Sequence, residues 1–155
     1  MRIEIPISRG FGPDTEIFQR RRNYQRLNVY PWAYEDTYFI SRGTRHNVRN
    51  QTDNLVLDQT ENGYHSSGSF MTELLRLPPG CHFQSIRYEA DTPAGTALVV
   101  NIRDASGAAI HERIESGRGL AIRQPVKLEF LFSTDSRSRT PKLDAYSLRF
   151  EQAAR

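Results

Sequence analysis

The sequence predicts an all-β protein whose main domain is an antiparallel β-sandwich. The first observation is a period of two in the apolar residues, clearest in VKLEFLFS at 126–133, where every second residue is apolar. The second is the recurrence of Gly- and Pro-rich turns about every eight to twelve residues, a spacing typical of antiparallel sheet. The third is composition, because eight Phe, seven Tyr, ten Gly and eight Pro in 155 residues fit an ordered, turn-rich chain.

Seven or eight strands follow from this pattern. Those with the clearest alternation are predicted at 54–58, 69–77, 83–89, 97–104, 108–115, 126–133 and 143–151. A sheet with one apolar face must cover that face, so two sheets packed face to face are the economical arrangement. The side chains predicted to be buried between them are Phe70, Leu74, Ile86, Leu98, Val100, Ile102, Leu128, Phe130, Phe132, Leu143 and Leu148.

Residues 1–50 do not share this pattern, and we assign them to an extended N-terminal arm, with the sandwich domain at 51–155. Residues 1–12 are predicted to form an edge strand or a free arm, because proline cannot donate to a strand ladder. Residues 13–26 fit either a short helix capped by Asp14 and Thr15 or a strand that begins at Asn23. Residues 41–53 are polar and are predicted to form a loop that links the two parts.

The arm carries the positive charge of the chain. Its nine Arg and five acidic residues give a net charge of +4, whereas residues 51–155 hold twelve basic and thirteen acidic residues. The only run of like charges is Arg20-Arg21-Arg22, which fits a solvated surface or a pairing with acidic residues of a partner protein. A nucleic-acid site is normally broader than this run, so no nucleic-acid partner is predicted.

Aromatic residues concentrate in the arm at 30–39, YPWAYEDTYF. Three interpretations stay open: the aromatic residues pack against the sandwich, anchor a protein interface, or form a platform on which sugars stack. We predict an assembly interface formed by Arg20, Arg21, Arg22, Tyr30, Trp32, Tyr34, Tyr38 and Phe39.

No residue pattern in the chain predicts an enzyme. Cys81 is the only cysteine, which excludes an intrachain disulfide and a cysteine-based metal site. The four histidines lack the spacing of metal ligands, and no phosphate-binding loop or nucleophile elbow is present. We therefore expect no catalytic residue, metal ion or cofactor.

The sequence also bears on location. No apolar run approaches the roughly twenty residues that span a bilayer, so no membrane span is predicted. The N-terminus, MRIEIPISRG, lacks the apolar block of a signal peptide. We therefore expect the protein to be made and assembled in the cytoplasm.

Three motifs carry a resemblance to a known domain. They are SSGSF at 66–70, DTPAGT at 91–96 in the strand pair that ends at Arg103, and LEFLFSTD with TPKL between 128 and 143. Together they resemble a β-sandwich domain that recurs in tailed-phage virion proteins, which are tail, baseplate and fibre components. That domain is similar to galactose-binding-like jelly rolls, some of which bind carbohydrate. The resemblance covers about residues 54–151 and implies a jelly-roll sandwich, whereas residues 1–50 match no family.

Two function classes follow. The resemblance implies a structural virion protein of a tailed phage or phage-like particle, a tail, baseplate, fibre or decoration component. Its arm would contact other virion proteins and further copies of the chain. The alternative is a carbohydrate-binding module that attaches the particle or a parent protein to host-surface glycans, with the polar loop at 134–140 as a candidate binding loop.

Overall fold

The computed structural model describes residues 43–51 and 54–152 in full, together with the backbone of three N-terminal strands. Every regular element in these residues is a β-strand. The strands are β1 (Arg2–Glu4), β2 (Arg20–Gln25), β3 (Ala33–Tyr38), β4 (Gly43–His46), β5 (Val48–Gln51), β6 (Asn54–Leu57), β7 (Gln59–Thr60), β8 (Gly63–Tyr64), β9 (Ser67–Thr72), β10 (Cys81–Asp91), β11 (Thr96–Arg103), β12 (Ala109–His111), β13 (Gly119–Ile122), β14 (Lys127–Thr134) and β15 (Lys142–Gln152).

The strands form two antiparallel sheets and a small hairpin. The first sheet has the order β1-β2-β3-β15-β10-β13, and β6 also pairs with β15 and carries β5 on its other side. The second sheet has the order β12-β11-β14-β9-β4, and β7 pairs with β8. The predicted all-β, antiparallel, sandwich-like fold is confirmed.

The core contains most of the side chains that the alternation predicts. Its largest fully buried side chains are five phenylalanines, Phe70, Phe83, Phe130, Phe132 and Phe150. Two predicted core residues, Leu74 and Leu98, are only partly buried. Leu74 is not part of the core because the β9 ladder ends at Thr72. Beyond that point, Leu75 forms an isolated bridge with Val126, the residue that precedes β14.

A bulge in β10 corrects the predicted faces of that strand. The register with β15 shifts between Phe83 and Ser85, which leaves Gln84 as an extra residue. The extra residue reverses the alternation. Strict alternation would place Phe83 and Ile86 on opposite faces, yet with the bulge both are buried, and the rings of Phe83 and Phe150 lie 5.1 Å apart.

A second bulge, in β15, also reverses the alternation of buried and exposed residues. The register shifts again between Glu89 and Ala90, which leaves Asp144 as the extra residue on β15. Strict alternation would place Leu143 and Tyr146 on opposite faces, yet both are buried. Alternation alone does not show where a strand gains a residue, because the bulge depends on the partner strand.

Residues 41–53, predicted to be a loop, contain two strands instead. β4 pairs with β9 in the second sheet, and β5 pairs with β6 in the first. Asn47 lies between them with a φ of 56°, a left-handed conformation that asparagine tolerates, and its carbonyl accepts a hydrogen bond from the Asp58 amide. The chain therefore changes sheets at Asn47, and polar edge strands of this kind show little apolar periodicity.

Two other segments differ from the prediction. The strand expected at 108–115 is shortened to β12, because Arg113 has a φ of 54° that an extended strand does not accommodate. No strand is predicted between 116 and 125, yet β13 lies there and pairs with β10 at two positions. In the arm, the strand β2 occupies 20–25, where the helix alternative would have continued.

Replacing Phe130 by Ala tests the burial of β14. Phe130 is fully buried, with its ring 6.1 Å from Phe70 and 5.4 Å from Tyr146, so the substitution is expected to lower the free energy of unfolding by about 3–5 kcal/mol. Its neighbour Leu131 is 36% exposed and provides the control, with an expected loss within about 0.5 kcal/mol for Leu131→Ala. Chemical denaturation measures both, and a larger loss for Leu131→Ala than for Phe130→Ala would show that the strand faces the other way.

Candidate functional site

The three N-terminal strands join the rest of the first sheet through a single ladder. β1 pairs with β2, β2 pairs with β3, and β3 pairs with β15 from Tyr146 to Glu151. On that edge of β15, β6 covers only Lys142 and Leu143. Among the described strands, β3 is thus the only one that covers the C-terminal half of this edge, and we call β1, β2 and β3 together the N-terminal unit.

Part of the predicted interface lies on this unit. The arginines at 20–22 are on β2, and Tyr34 and Tyr38 are on β3. Tyr30, Trp32 and Phe39 lie outside the described residues, as do the side chains of the other five. The interface therefore stays a prediction. The information that the structure adds is the strand register, which gives the residue directly opposite each of these positions.

The register places acidic residues of the same chain opposite the arginine run. Arg21 lies directly opposite Glu4 on β1, and Arg22 lies directly opposite Asp36 on β3. Opposite charges at such positions stabilise a sheet by about 0.2–1 kcal/mol per pair. The sequence shows the run but not these partners, because the strand register that aligns them joins distant parts of the chain.

The same register aligns two tyrosines of β3 with the core of the sandwich. Tyr34 is opposite Phe150, and Tyr38 is opposite Tyr146. Phe150 and Tyr146 are both buried. Residues directly opposite on neighbouring strands belong to the same face of a sheet, so this is the register that packing against the sandwich requires.

The alternate positions of the ladder carry complementary charges. Glu35 of β3 lies directly opposite Arg149 of β15. Arg149 is partly buried, and its Nε has no hydrogen-bond partner among the described residues. A cation and an anion at opposite positions favour this register over one shifted by a residue, which would place Glu35 on the other face of β15.

At one end of the sandwich, the three motifs of the phage-like resemblance meet. We call residues 62–66, 92–96 and 134–140 the loop cluster. Backbone hydrogen bonds join its parts: the amide of Tyr64 donates to the Arg137 carbonyl, that of Thr134 to the Ser66 carbonyl, and that of Asp135 to the Gly95 carbonyl, each at 2.9 Å. Motifs that are distant in sequence thus form one hydrogen-bonded surface.

Side chains fix the longest loop of this cluster to the sandwich. Buried Thr140 accepts a hydrogen bond from the Leu57 amide at 2.9 Å, which ties the loop to β6. Arg139 donates to the Ala94 carbonyl at 3.0 Å. The side chains of Asp135, Arg137 and Arg139 are exposed. The candidate loop at 134–140 is therefore held in place with charged groups on its surface, an arrangement that can form hydrogen bonds with a protein or a sugar.

A charged network lies on the second sheet. The Glu129 carboxylate accepts hydrogen bonds from the Asn101 amide group and from Arg103, both at 2.9 Å. Burial alone would raise the pKa of Glu129, but these two hydrogen bonds and the Arg103 charge outweigh it and lower the pKa below its ordinary value. Asn101 also accepts a hydrogen bond from the Arg113 amide, which holds the turn after β12.

An open groove of about 540 Å³ lies at the end of the second sheet where β4 begins and β9 ends. Met71 and Leu74 supply apolar lining, and Glu73 and Lys127 supply one charge of each sign. Within the described part of the chain, neither charge has an ion-pair partner. The groove therefore presents one charge of each sign beside an apolar lining, and no motif in the sequence pointed to it.

The four histidines all lie in the part of the chain that the structure describes. In residues 43–51 and 54–152, no group of three His, Cys, Asp or Glu residues is placed to hold a metal ion. His82 instead lies with its Nε2 3.8 Å from Glu151 across the β10–β15 pair.

The aromatic residues of the sandwich bear on the sugar-stacking interpretation. Within residues 43–51 and 54–152, every Phe and Tyr is buried or partly buried. Tyr88 is one of the partly buried residues, and its hydroxyl donates to the Ile114 carbonyl at 3.0 Å.

No protein-family model, curated protein or solved structure matches the chain. The resemblance to virion domains therefore rests on the motifs at 66–70, 91–96 and 128–143 alone. Where the structure describes the chain, it contains no helix with the length and apolar character that crossing a membrane requires.

Gly63→Ala tests the close packing of the loop cluster. Gly63 has a φ of +110°, and a Cβ there would collide with the Arg137 carbonyl that accepts the Tyr64 hydrogen bond. Gly107→Ala is the control, because Gly107 has a φ of +91° but faces open space. The control should lose about 1–2 kcal/mol from backbone strain alone, and Gly63→Ala should lose more in denaturation measurements. Equal losses would show that the cluster is loosely packed.

Glu129→Gln tests the charged network through its pH dependence. At neutral pH the variant should be about 1–3 kcal/mol less stable, because hydrogen bonds to a charged group are lost. The folded pKa of Glu129 is lowered, so its contribution is complete above the ordinary value of 4.5 and disappears as the pH falls through the folded pKa. The stability difference between wild type and variant should therefore shrink in acid.

The matched control for this series is Glu112→Gln, at an exposed glutamate. Unfolding free energies measured across the pH range should show little difference for that variant. A difference between wild type and Glu129→Gln that stays constant in acid would mean that the carboxylate charge is not what the network stabilises.

Proposed function

We propose that the chain is a structural subunit of a tailed-phage or phage-like particle, and that its N-terminal segment makes the contacts between subunits. The observation that carries the proposal is the single β3–β15 ladder, through which the N-terminal unit extends the first sheet. The meeting of the three resemblance motifs in one loop cluster is a second support, because those motifs then act together in the fold.

We further propose that the sandwich is a jelly roll. Its support is the nested pairing of eight strands: β6 with β15, β9 with β14, β10 with β13, and β11 with β12. A chain folded as one long hairpin and rolled into two sheets produces this order of pairs. The nested pairs do not include β1, β2 or β3. We assign the contacts between subunits to these three strands.

The partners are other virion proteins and further copies of the chain, and the place of action is the virion after assembly in the host cytoplasm. The register supports a division of labour within the arm. Tyr34 and Tyr38 align with core positions of β15, so they serve to attach β3. Trp32 immediately precedes β3 and is the residue to which we assign the anchoring contact, since tryptophan is enriched among residues that dominate binding energy.

Trp32→Ala, with Arg20→Ala as the matched control, tests the assembly role. Loss of an aromatic anchor typically costs about 2 kcal/mol or more, so Trp32→Ala should weaken self-association at least about ten-fold. Arg20→Ala should mainly change the association rate and its salt dependence. Sedimentation measures the mass in solution, and the copy number in purified particles measures incorporation.

Other outcomes of that experiment are also decisive. A Trp32→Ala variant that associates and incorporates as the wild type does would contradict the proposal. A variant that unfolds would place Trp32 in the core, as the packing interpretation has it. A variant that assembles normally but no longer adheres to a glycan surface would make the chain a carbohydrate-binding module instead.

A further inference from the structure

The N-terminal unit has the geometry of an exchangeable element. Its only described strand pairing to the rest of the chain is the ladder between β3 and β15. The edge that β3 covers is continuous, from Tyr146 to Glu151, and lies beside the two residues that β6 covers. Transfer of the unit to another copy would therefore break one ladder and form the same ladder again.

The connection between this unit and the sandwich is short. Only four residues, 39–42, separate the end of β3 from the start of β4. β3 belongs to the first sheet and β4 to the second, so these residues also join the two sheets. A short hinge favours exchange between subunits, because the chain can extend into a neighbour instead of turning back on itself.

The ladder carries its own specificity. Glu35 opposite Arg149 supplies complementary charge, and Tyr34 and Tyr38 opposite Phe150 and Tyr146 supply aromatic alignment. A slip of one residue would move the charged residue and the tyrosines of β3 to the opposite faces of the sheet. The edge of β15 therefore favours β3 in this one register. A second copy of the chain offers that strand, because every copy carries the same β3.

We propose that β1, β2 and β3 of one copy pair with β15 of a neighbouring copy in the assembled state. This inference rests on the proposed assembly role and names the partner as a second copy of the chain. An extended connection of five residue steps reaches about 17 Å, so the two sandwiches must lie almost in contact. Reciprocal exchange gives a closed dimer, whereas head-to-tail exchange gives a ring or a filament.

Disulfide trapping in the full-length protein tests the exchange. Cys81→Ser removes the only cysteine, and Glu35→Cys and Arg149→Cys are then placed on separate, differently tagged copies that are expressed together. Directly opposite positions in antiparallel strands lie within disulfide range. The expected result is a shift from the one-chain band to a two-chain band containing both tags on a non-reducing gel.

Two further samples complete the test. Ala33→Cys and Ser147→Cys on separate copies form the out-of-register control, since Ala33 pairs with Glu151 and Ser147 with Thr37, and this pair should stay as single chains. Glu35→Cys and Arg149→Cys in the same chain show whether the ladder closes within one copy. Thr37→Cys with Ser147→Cys repeats the main experiment at a second in-register pair.

The outcomes separate the exchange from the assembly role. Association by sedimentation together with a cross-link that forms only within single chains would overturn the exchange and leave the assembly role intact. A protein that stays monomeric at every concentration would overturn both. Failure of every in-register pair, within and between chains, would overturn the β3–β15 pairing and the proposal with it.

Discussion

The structure depends on β15, because a strand at the centre of a sheet must have its backbone paired along both edges. One edge pairs with β10 from Lys142 to Gln152, while β6 and β3 divide the other. Buried backbone groups without partners cost as much as lost hydrogen bonds. The need to pair buried backbone groups therefore stabilises the sandwich and also requires a partner strand for the edge of β15 between residues 146 and 151.

The loop cluster and the N-terminal unit are two structurally different parts of the molecule. The cluster is built from turn motifs whose backbone hydrogen bonds connect three loops, so its motifs report on the fold more than on a reaction. The N-terminal unit adds three strands beyond the nested pairs of the sandwich. The motifs of the resemblance all lie within the sandwich, whereas residues 1–50 resemble no family.

Much of the fold follows from the sequence, because period two is a local property. The alternation in β9, β11 and β14 locates those strands and identifies Phe70, Val100 and Phe130 as core. The bulges at Gln84 and Asp144 arise from long-range pairing, and the composition of β10 or β15 alone does not reveal them. The alternation also fails to predict polar edge strands such as β4 and β5, because few of their side chains are buried.

The candidate site was less accessible to sequence reasoning than the core. The arginine run and the aromatic cluster at 30–39 were visible, but their register with Glu4, Asp36 and β15 was not. The groove beside Leu74 and Lys127 gave no signal, because its residues come from four separate segments. Sites assembled from distant strands depend on topology, which local patterns do not specify.

The most direct measurement combines amide hydrogen exchange with mass determination on a Thr37→Pro variant. Proline removes a backbone donor from the middle of β3 and should disrupt its ladder with β15. The account predicts faster exchange of those β15 amides between 146 and 151 that face β3, unchanged protection of β9 and β14, and loss of self-association in the same sample. Full association of the variant, with those β15 amides exchanging freely, would contradict the claim that this edge carries assembly.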